Sequence, residues 1–303
     1  MTQLATPLAP PRPLGVVAAT GWPDYALLDS GHGRKLERYG RVTVVRPEEQ
    51  AMWRPSLSEA AWEKADAVFS GDTDEDGPGR WRTRGPLSES WEMGYGAAKA
   101  ICRFTSFRHV GIFPEQRAHW DWADERIRAA GRPLKVLNLF GYTGLASLLA
   151  AAAGARVTHV DASKKAVAWA RENQAASGLG ELPIRWIVDD AMKFTAREAR
   201  RDSLYDGVIL DPPKFGRGPN NEPWHLFEAL PEMMRLVRAV LAPEASFVIL
   251  TAYAIRASAL AFERLAAEAL DGLGGTLEAG ELALVEDNGR LLPTSHYVRW
   301  AGR

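Results

Sequence analysis

From Leu134 onward, short apolar runs alternate with amphipathic segments, and no other feature constrains the fold as much. Repeated strand and helix units of this kind require a mainly parallel sheet covered by helices. LKVLNLF (134–140) reads as the first strand and GLASLLAAAAGA as the helix after it. RVTHVDA is the second strand, and the helix SKKAVAWARENQAASG follows, with Ser163 placed to cap its start and Gly178 just past its end. IRWIVDD, LYDGVILD and ASFVILTAY supply three more strands, with helices expected around 191–202, 224–241 and 256–271. The ending changes character: GGTLEAGELALVE, DNGR and LLPTSHYVRWAG read as a hairpin turning at Asn288-Gly289. An antiparallel pair therefore completes the sheet at one edge.

The first hundred or so residues follow another pattern. VVAAT, YALLDSG, GRKLERYGRVTVVR and GRWRTRG are strand-like runs punctuated by glycines, ahead of WEMGYGAAKAICRFTSFRHVGIF. They predict a small β-rich domain over 16–107, a possible substrate-binding unit, before an α/β domain over 108–303. Residues 1–15, MTQLATPLAPPRPLG, read as a disordered, proline-rich leader, and GDTDEDGPG (71–79) as a solvated acidic connection. The leader lacks a basic-then-apolar signal pattern, and no 18-residue apolar run occurs. One cysteine, Cys102, excludes an internal disulfide and a cysteine-built zinc site; it reads as a buried small apolar residue. These features predict a cytoplasmic protein with no membrane partner. The formal net charge of -1 excludes a uniformly basic nucleic-acid binder but permits a local basic patch.

NLFGYTG (138–144) closes the first strand and opens a helix, so its backbone N–H groups face whatever lies beyond the carboxyl edge of the sheet. The spacing Gly141-x-x-Gly144 lacks the G-x-G-x-x-G of a dinucleotide loop, which argues against a nicotinamide cofactor. A nucleotide-like ligand and a plain structural turn both remain open for this loop alone. Asp161 ends the second strand twenty positions after Gly141, where a carboxylate accepts from ribose hydroxyls or caps a helix. Asp190 ends the third strand in VDDAMKF, level with the same cleft, where it accepts from an adenine amino group or again caps a helix. Matched strand ends favour a ligand over coincidence.

LDPPKF (210–215) interrupts the apolar run YDGVIL. Consecutive prolines cannot donate ladder hydrogen bonds, so the strand must stop at Asp211 and the following carbonyls can turn into the cleft. The Asp211 carboxylate and a carbonyl of Pro212 or Pro213 form an acceptor pair able to hold a nucleobase amino group, and Phe215 is the candidate to stack on the base. Lys214 either touches a phosphate or is merely solvated.

VLNLFGYTG, VDASKKAVAWARENQAASG, DDAMKF and VILDPPKFGRG together resemble the class I S-adenosylmethionine-dependent methyltransferases, and within them the large-subunit (23S) ribosomal RNA methyltransferases that modify cytosine C5 or guanine N7. The resemblance covers about 108–303. It implies a Rossmann-like α/β fold whose seven-stranded sheet has the order 3-2-1-4-5-7-6. It also implies S-adenosylmethionine as cofactor, no metal, and RNA, in particular ribosomal RNA, as partner. Phe140, Gly141, Tyr142, Thr143 and Gly144 would line its methionine and ribose, Asp161 would hold the ribose hydroxyls, and Asp190 with Ala191 would border the adenine. Gln116, in the loop GIFPEQR, would approach the cofactor, and Asp211 would border it; the alternative for Gln116 is a plain turn.

Methyl transfer from a sulfonium is an in-line displacement that asks the enzyme chiefly to align donor and acceptor. Cytosine C5 transfer needs in addition a thiolate that adds to the ring. The C5 members of the group place a cysteine after the fifth strand, where this chain has Thr251, Ala252 and Tyr253. Transfer to nitrogen is therefore expected, at guanine N7 or an exocyclic amine. Related amino methyltransferases carry an aromatic where Lys214 stands.

Arg34, Lys35, Arg38 and Arg41, and then Arg80, Arg82 and Arg84 around Trp81, offer basic and aromatic residues to RNA, or simply a charged solvated surface. The additional RNA-binding module often found at the N-terminus of the ribosomal RNA relatives has no match here. Competing readings are a protein or small-molecule acceptor, for which asparagine rather than aspartate usually opens the proline motif, and a non-catalytic RNA-binding protein that keeps the fold.

Overall fold

Alternating burial organises the amino-terminal part of the chain. The computed structural model describes residues 13–71, 79–253 and 257–303. After strand β1 (Gly15–Ala19), a five-stranded sheet forms from β2 (Tyr25–Gly31), β3 (Arg34–Tyr39), β4 (Val42–Pro47), β5 (Ala67–Gly71) and β6 (Gly79–Thr83), adjacent in that order. The single-turn helix α1 (Glu59–Trp62) lies between β4 and β5. In β6, Trp81 turns inward against Phe69 while Arg80 and Arg82 are exposed, as the two-residue period of a strand requires. A hairpin of β7 (Ser90–Tyr95) and β8 (Ala98–Arg103) follows.

The carboxyl-terminal part begins with α2 (Arg117–Ala129) and continues through β9 (Lys135–Leu139), α3 (Leu145–Ala152), β10 (Arg156–Asp161), α4 (Lys164–Ala176), β11 (Ile184–Val188), α5 (Ala191–Arg200) and β12 (Gly207–Leu210). A small hairpin of β13 (Phe215–Arg217) and β14 (Pro223–His225) precedes α6 (Leu226–Val240), β15 (Phe247–Tyr253), α7 (Ala259–Ala269), β16 (Thr276–Val285) and β17 (Leu291–Ala301). Every residue of β12 is buried, as the centre of a sheet covered on both faces demands. Ser163 caps α4 by accepting from the Ala166 N–H, and Gly178, at φ 69°, stands beyond its end.

The large sheet has eight strands in the order β1-β16-β17-β15-β12-β9-β10-β11. This corrects the expectation of seven: β1 pairs in parallel with β16 and extends the edge. β17 runs antiparallel to both β15 and β16, the terminal hairpin read from the sequence. Side chains of α5, α6 and α7 form the core on one face, among them Phe194, Met233 and Phe262; α2 and α3 supply Ile127 and Ala151 to the other.

The boundary expected between 107 and 108 is not where the packing divides. Gly15–Ala19 belongs to the large sheet, and one apolar cluster joins Tyr39 and Trp91 from the small part to Trp120, Leu148 and Leu292 from the large one. Of the leader, residues 1–12 lie outside the described residues, as do 72–78 of the acidic connection. Cys102 is fully buried, and burial pushes its thiol up to about 12. No described helix is long and apolar enough to cross a membrane.

Candidate functional site

The carboxyl ends of β9, β10, β11 and β12 open onto one cavity of about 420 Å³, with a smaller lobe of about 50 Å³ beneath the glycine loop. The larger volume lies within the range of about 300–1,000 Å³ usual for small-molecule sites. Phe140 and Tyr142 adopt left-handed φ of 57° and 48°, and Gly144 lies at 81°, so the loop is tightly wound. Only glycine fits at 141: a Cβ there would stand 2.4 Å from Cε1 of His159. A Cβ on Gly144 would stand 2.7 Å from that of Ala170. Burial holds His159 down to about 3, so the ring supporting the loop is neutral.

Asp161 ties this loop to β10. Its Oδ2 accepts from the Tyr142 N–H at 2.9 Å, and its Oδ1 from the Ser163 N–H at 2.8 Å. Burial raises its pKa, and these two N–H groups oppose the rise. Each oxygen keeps a second lone pair for a hydroxyl beyond it. Asp190 caps α5 by accepting from the Lys193 N–H at 2.8 Å, while Asp190 and Ala191 also line the cavity. The neighbouring Asp189 pairs with Arg197. Thr143 is buried; its hydroxyl donates to the Gly111 carbonyl at 2.7 Å, so it serves the loop's own packing. Gly144 also lies beneath the loop rather than on either lining.

On the opposite wall, β12 stops before Asp211. Oδ2 of Asp211 accepts from Gln116 Nε2 at 3.0 Å, while its Oδ1 is buried with no hydrogen-bond partner among the described residues. Burial pushes this carboxyl well above the ordinary range; Glu115 adds to the rise and the Gln116 hydrogen bond opposes it. The Pro213 carbonyl accepts from Trp224 Nε1 at 2.7 Å, so of the two prolines Pro212 keeps the carbonyl that Trp224 does not claim. Gln116 therefore meets Asp211 and the Tyr253 hydroxyl. Phe215 is 55% exposed and lines neither lobe; it packs edge-on against His225 across the β13–β14 hairpin, with Lys214 Nζ 5.4 Å from its ring centre.

To Phe140 and Tyr142 the cavity adds aromatic walls to which sequence reasoning gave no role: Phe113, Tyr253 and Trp224. Phe113 packs at 5.3 Å from Tyr253 and 5.7 Å from Tyr142. A chain position at the end of a strand could have flagged Tyr253; nothing local flags the other two. Arg108, Lys214 and Arg217 add positive charge to the lining.

Three members of the first basic cluster are engaged within the protein, while Arg41 is exposed. Lys35 is buried against Glu48 at 3.0 Å, Arg34 pairs with Glu59 and lies over Trp62, and Arg38 donates to the carbonyls of Gly40 and Pro23. Arg46, unremarked in the sequence, grips Glu37 and donates to the Arg108 carbonyl at 3.2 Å, bracing the cavity wall. Burial alone would raise Glu37, but Arg46 and Lys35 hold its carboxyl down to about 2. Arg80, Arg82 and Arg84 are exposed, and β6 is bonded to the 106–107 segment through Gly79 N–H and Trp81 Nε1.

Comparison with known proteins agrees with this geometry. The profile of the family described as S-adenosylmethionine-dependent methyltransferase matches residues 40–270. The crystal structure of a SAM-dependent methyltransferase from Agrobacterium tumefaciens shares 51% identity at a TM-score of 0.91, covering 95% of this chain and 94% of that one. Two curated relatives are named Ribosomal RNA large subunit methyltransferase K/L. The protein of Desulfotalea psychrophila is 32% identical over 142 residues, covering 46% of this chain and 18% of the relative. That of Shewanella baltica is 36% identical over 129 residues, covering 42% and 17%. The chain thus spans under a fifth of the length of these curated relatives. The cavity, the wound glycine loop over neutral His159 and the strand-end carboxylates suit a sulfonium nucleoside, and the chain belongs to the S-adenosylmethionine-dependent methyltransferase family.

Proposed function

We propose that this methyltransferase acts on RNA, with ribosomal RNA as its substrate and a base nitrogen as acceptor, in the cytoplasm. The single observation that carries the acceptor reading is the buried, unpartnered Oδ1 of Asp211, on a carboxyl that lines the cavity where the Asp-Pro-Pro turn ends β12. When ionised, a carboxylate oxygen only accepts, so the group that satisfies it must bring an N–H or O–H, as an exocyclic base amine does. The Pro212 carbonyl is the second acceptor for that amine. S-adenosylmethionine, when bound, supplies an electrophilic methyl group.

Phe140 to Gly144 shape the cofactor side, Asp161 accepts from the ribose hydroxyls with its remaining lone pairs, and Asp190 with Ala191 borders the adenine. Phe113 and Tyr253 offer the faces against which a base can stack, a role the sequence reading assigned to Phe215. Lys214 and Arg217 meet phosphate at the mouth, and Arg80, Arg82 and Arg84 extend the basic surface. Nitrogen rather than cytosine C5 is favoured because the chain's only cysteine is buried against Met93, with Sγ 3.4 Å from its sulfur, and is not on the lining. RNA is favoured by the names of the curated relatives, although they match under half of this chain.

The test is transfer of labelled methyl from S-adenosylmethionine to undermethylated ribosomal RNA, followed by nucleoside mass spectrometry. Appearance of an N-methylated nucleoside supports the proposal. A methyl on carbon, or label that resists nuclease and follows protein, overturns it.

A further inference from the structure

A buried polar chain lies behind Asp211. Gln116, 7% exposed, donates from Nε2 to Asp211 Oδ2 at 3.0 Å and to the Tyr253 hydroxyl at 2.9 Å. Thr251 Oγ1 approaches the amide oxygen at 3.5 Å. With Asp211 ionised this amide orientation is required, because the reverse would set an amide oxygen against a carboxylate oxygen. Both amide hydrogens are then engaged within the protein, and Gln116 has no donor left for a cofactor. Thr251 and Tyr253 are two apart on β15, so they share one face, and Phe113 packs against the Tyr253 ring at 5.3 Å.

We propose that Gln116 and Tyr253 are positioning residues: Gln116, itself held by the Tyr253 hydroxyl, engages one oxygen of Asp211 so that the other is presented, unpartnered, to the acceptor nitrogen. The inference rests on the reading of Asp211 as the acceptor-binding group, and it leaves Gln116 only its amide oxygen with which to meet a cofactor. The groups facing Asp211 are Glu115 and Gln116 from the turn at 114–116 and Tyr253 from β15, with Lys214 three positions along its own segment. Losing the Gln116 amide removes the one interaction that favours ionised Asp211 among them. A rotamer free to swing would misplace the acceptor, and misplacement by about 1 Å costs on the order of 100-fold in rate.

Two measurements test this on the full chain. In carbon-13 NMR of the Asp211 carboxyl, assigned by its loss in Asp211→Asn, Gln116→Leu should raise the titration midpoint, and Tyr253→Phe should shift the resonance in the same direction by less. In kinetics, Gln116→Leu should lower kcat by about 10- to 100-fold while calorimetric S-adenosylmethionine affinity stays within about threefold, and the double variant should be no slower than Gln116→Leu alone, because the two residues act through one contact. An Asp211 resonance indifferent to both substitutions, or a loss of cofactor affinity that accounts for the whole rate effect, overturns the proposal. If the NMR shifts appear but wild-type protein methylates no RNA, the positioning role stands and the RNA reading falls.

Discussion

The two walls of the cavity are built by different means. The wall proposed for the cofactor is local: Asp161 holds Tyr142 and Ser163, nineteen and two positions away, and Asp190 caps the helix that starts beside it. The acceptor wall is assembled from distance, since Gln116 reaches Asp211 across 95 positions and Tyr253 across 137. A strand end followed by a helix can make the first wall by itself, whereas the second exists only after β12 and β15 have been laid side by side. Substitutions on the two walls should therefore separate binding of the cofactor from turnover.

The largest effect is expected on the acceptor wall. Asp211→Asn should slow methyl transfer by about 10²- to 10³-fold, the usual cost of one misoriented electrostatic group, with cofactor affinity nearly unchanged in calorimetry. The same variant should be more stable at neutral pH. A carboxyl whose folded pKa is raised keeps its proton in the folded chain where the unfolded chain has lost it, so stability falls as pH climbs from about 4 through the raised value. Asparagine has no such proton to lose; its Tm should exceed that of wild type by about 1–2 °C at pH 8, for each kcal/mol relieved, and the gap should close near pH 4. Equal melting at both pH values would mean that Asp211 carries no such penalty.

Next, on the cofactor wall, Asp161→Ala should weaken S-adenosylmethionine binding by about 10- to 100-fold, the range of hydrogen bonds to a charged group, while kcat at saturating cofactor is largely kept. A kcat loss as large as that of Asp211→Asn would erase the distinction between the walls. Gly141→Ala drives a methyl into His159 and should cost about 1–3 kcal/mol of stability, read by denaturant titration, together with cofactor affinity. The smallest effect belongs to Phe215→Ala: the ring is exposed and off the lining, so KM and kcat should each move by less than about threefold. A tenfold rise in KM for RNA would restore the stacking role read from the sequence.

Much of the geometry of the wall proposed for the cofactor was legible in the residues. NLFGYTG, Asp161 and Asp190 lie where a strand period of two gives way to a helical one, and the turn chemistry between them is written within a few positions. The wound loop was legible only in part, because the left-handed φ values of Phe140 and Tyr142 belong to a loop in which Phe140 packs on Trp224 and Tyr142 on Phe113 and Trp169, contacts that residue type does not announce. The exposed setting of Phe215 was not legible, because spacing after a proline motif does not say which face of the next strand a ring takes. The partners of Arg34 and Lys35 were hidden in the same way: charge shows in a sequence, but burial against Glu48 or pairing with Glu59 does not.

The residues alone determined that this chain makes a parallel sheet closed by an antiparallel hairpin, and that carboxylates end its central strands, because apolar period, capping and proline breaks act within one element. Only the tertiary structure decided that β1 adds an eighth strand, that Arg46 braces the 108 carbonyl, and that Gln116 and Tyr253 serve Asp211. Those contacts are made between residues far apart in the chain. They depend on which strands become neighbours, and a hydrogen bond a few ångströms long leaves no periodic trace in the residues that make it.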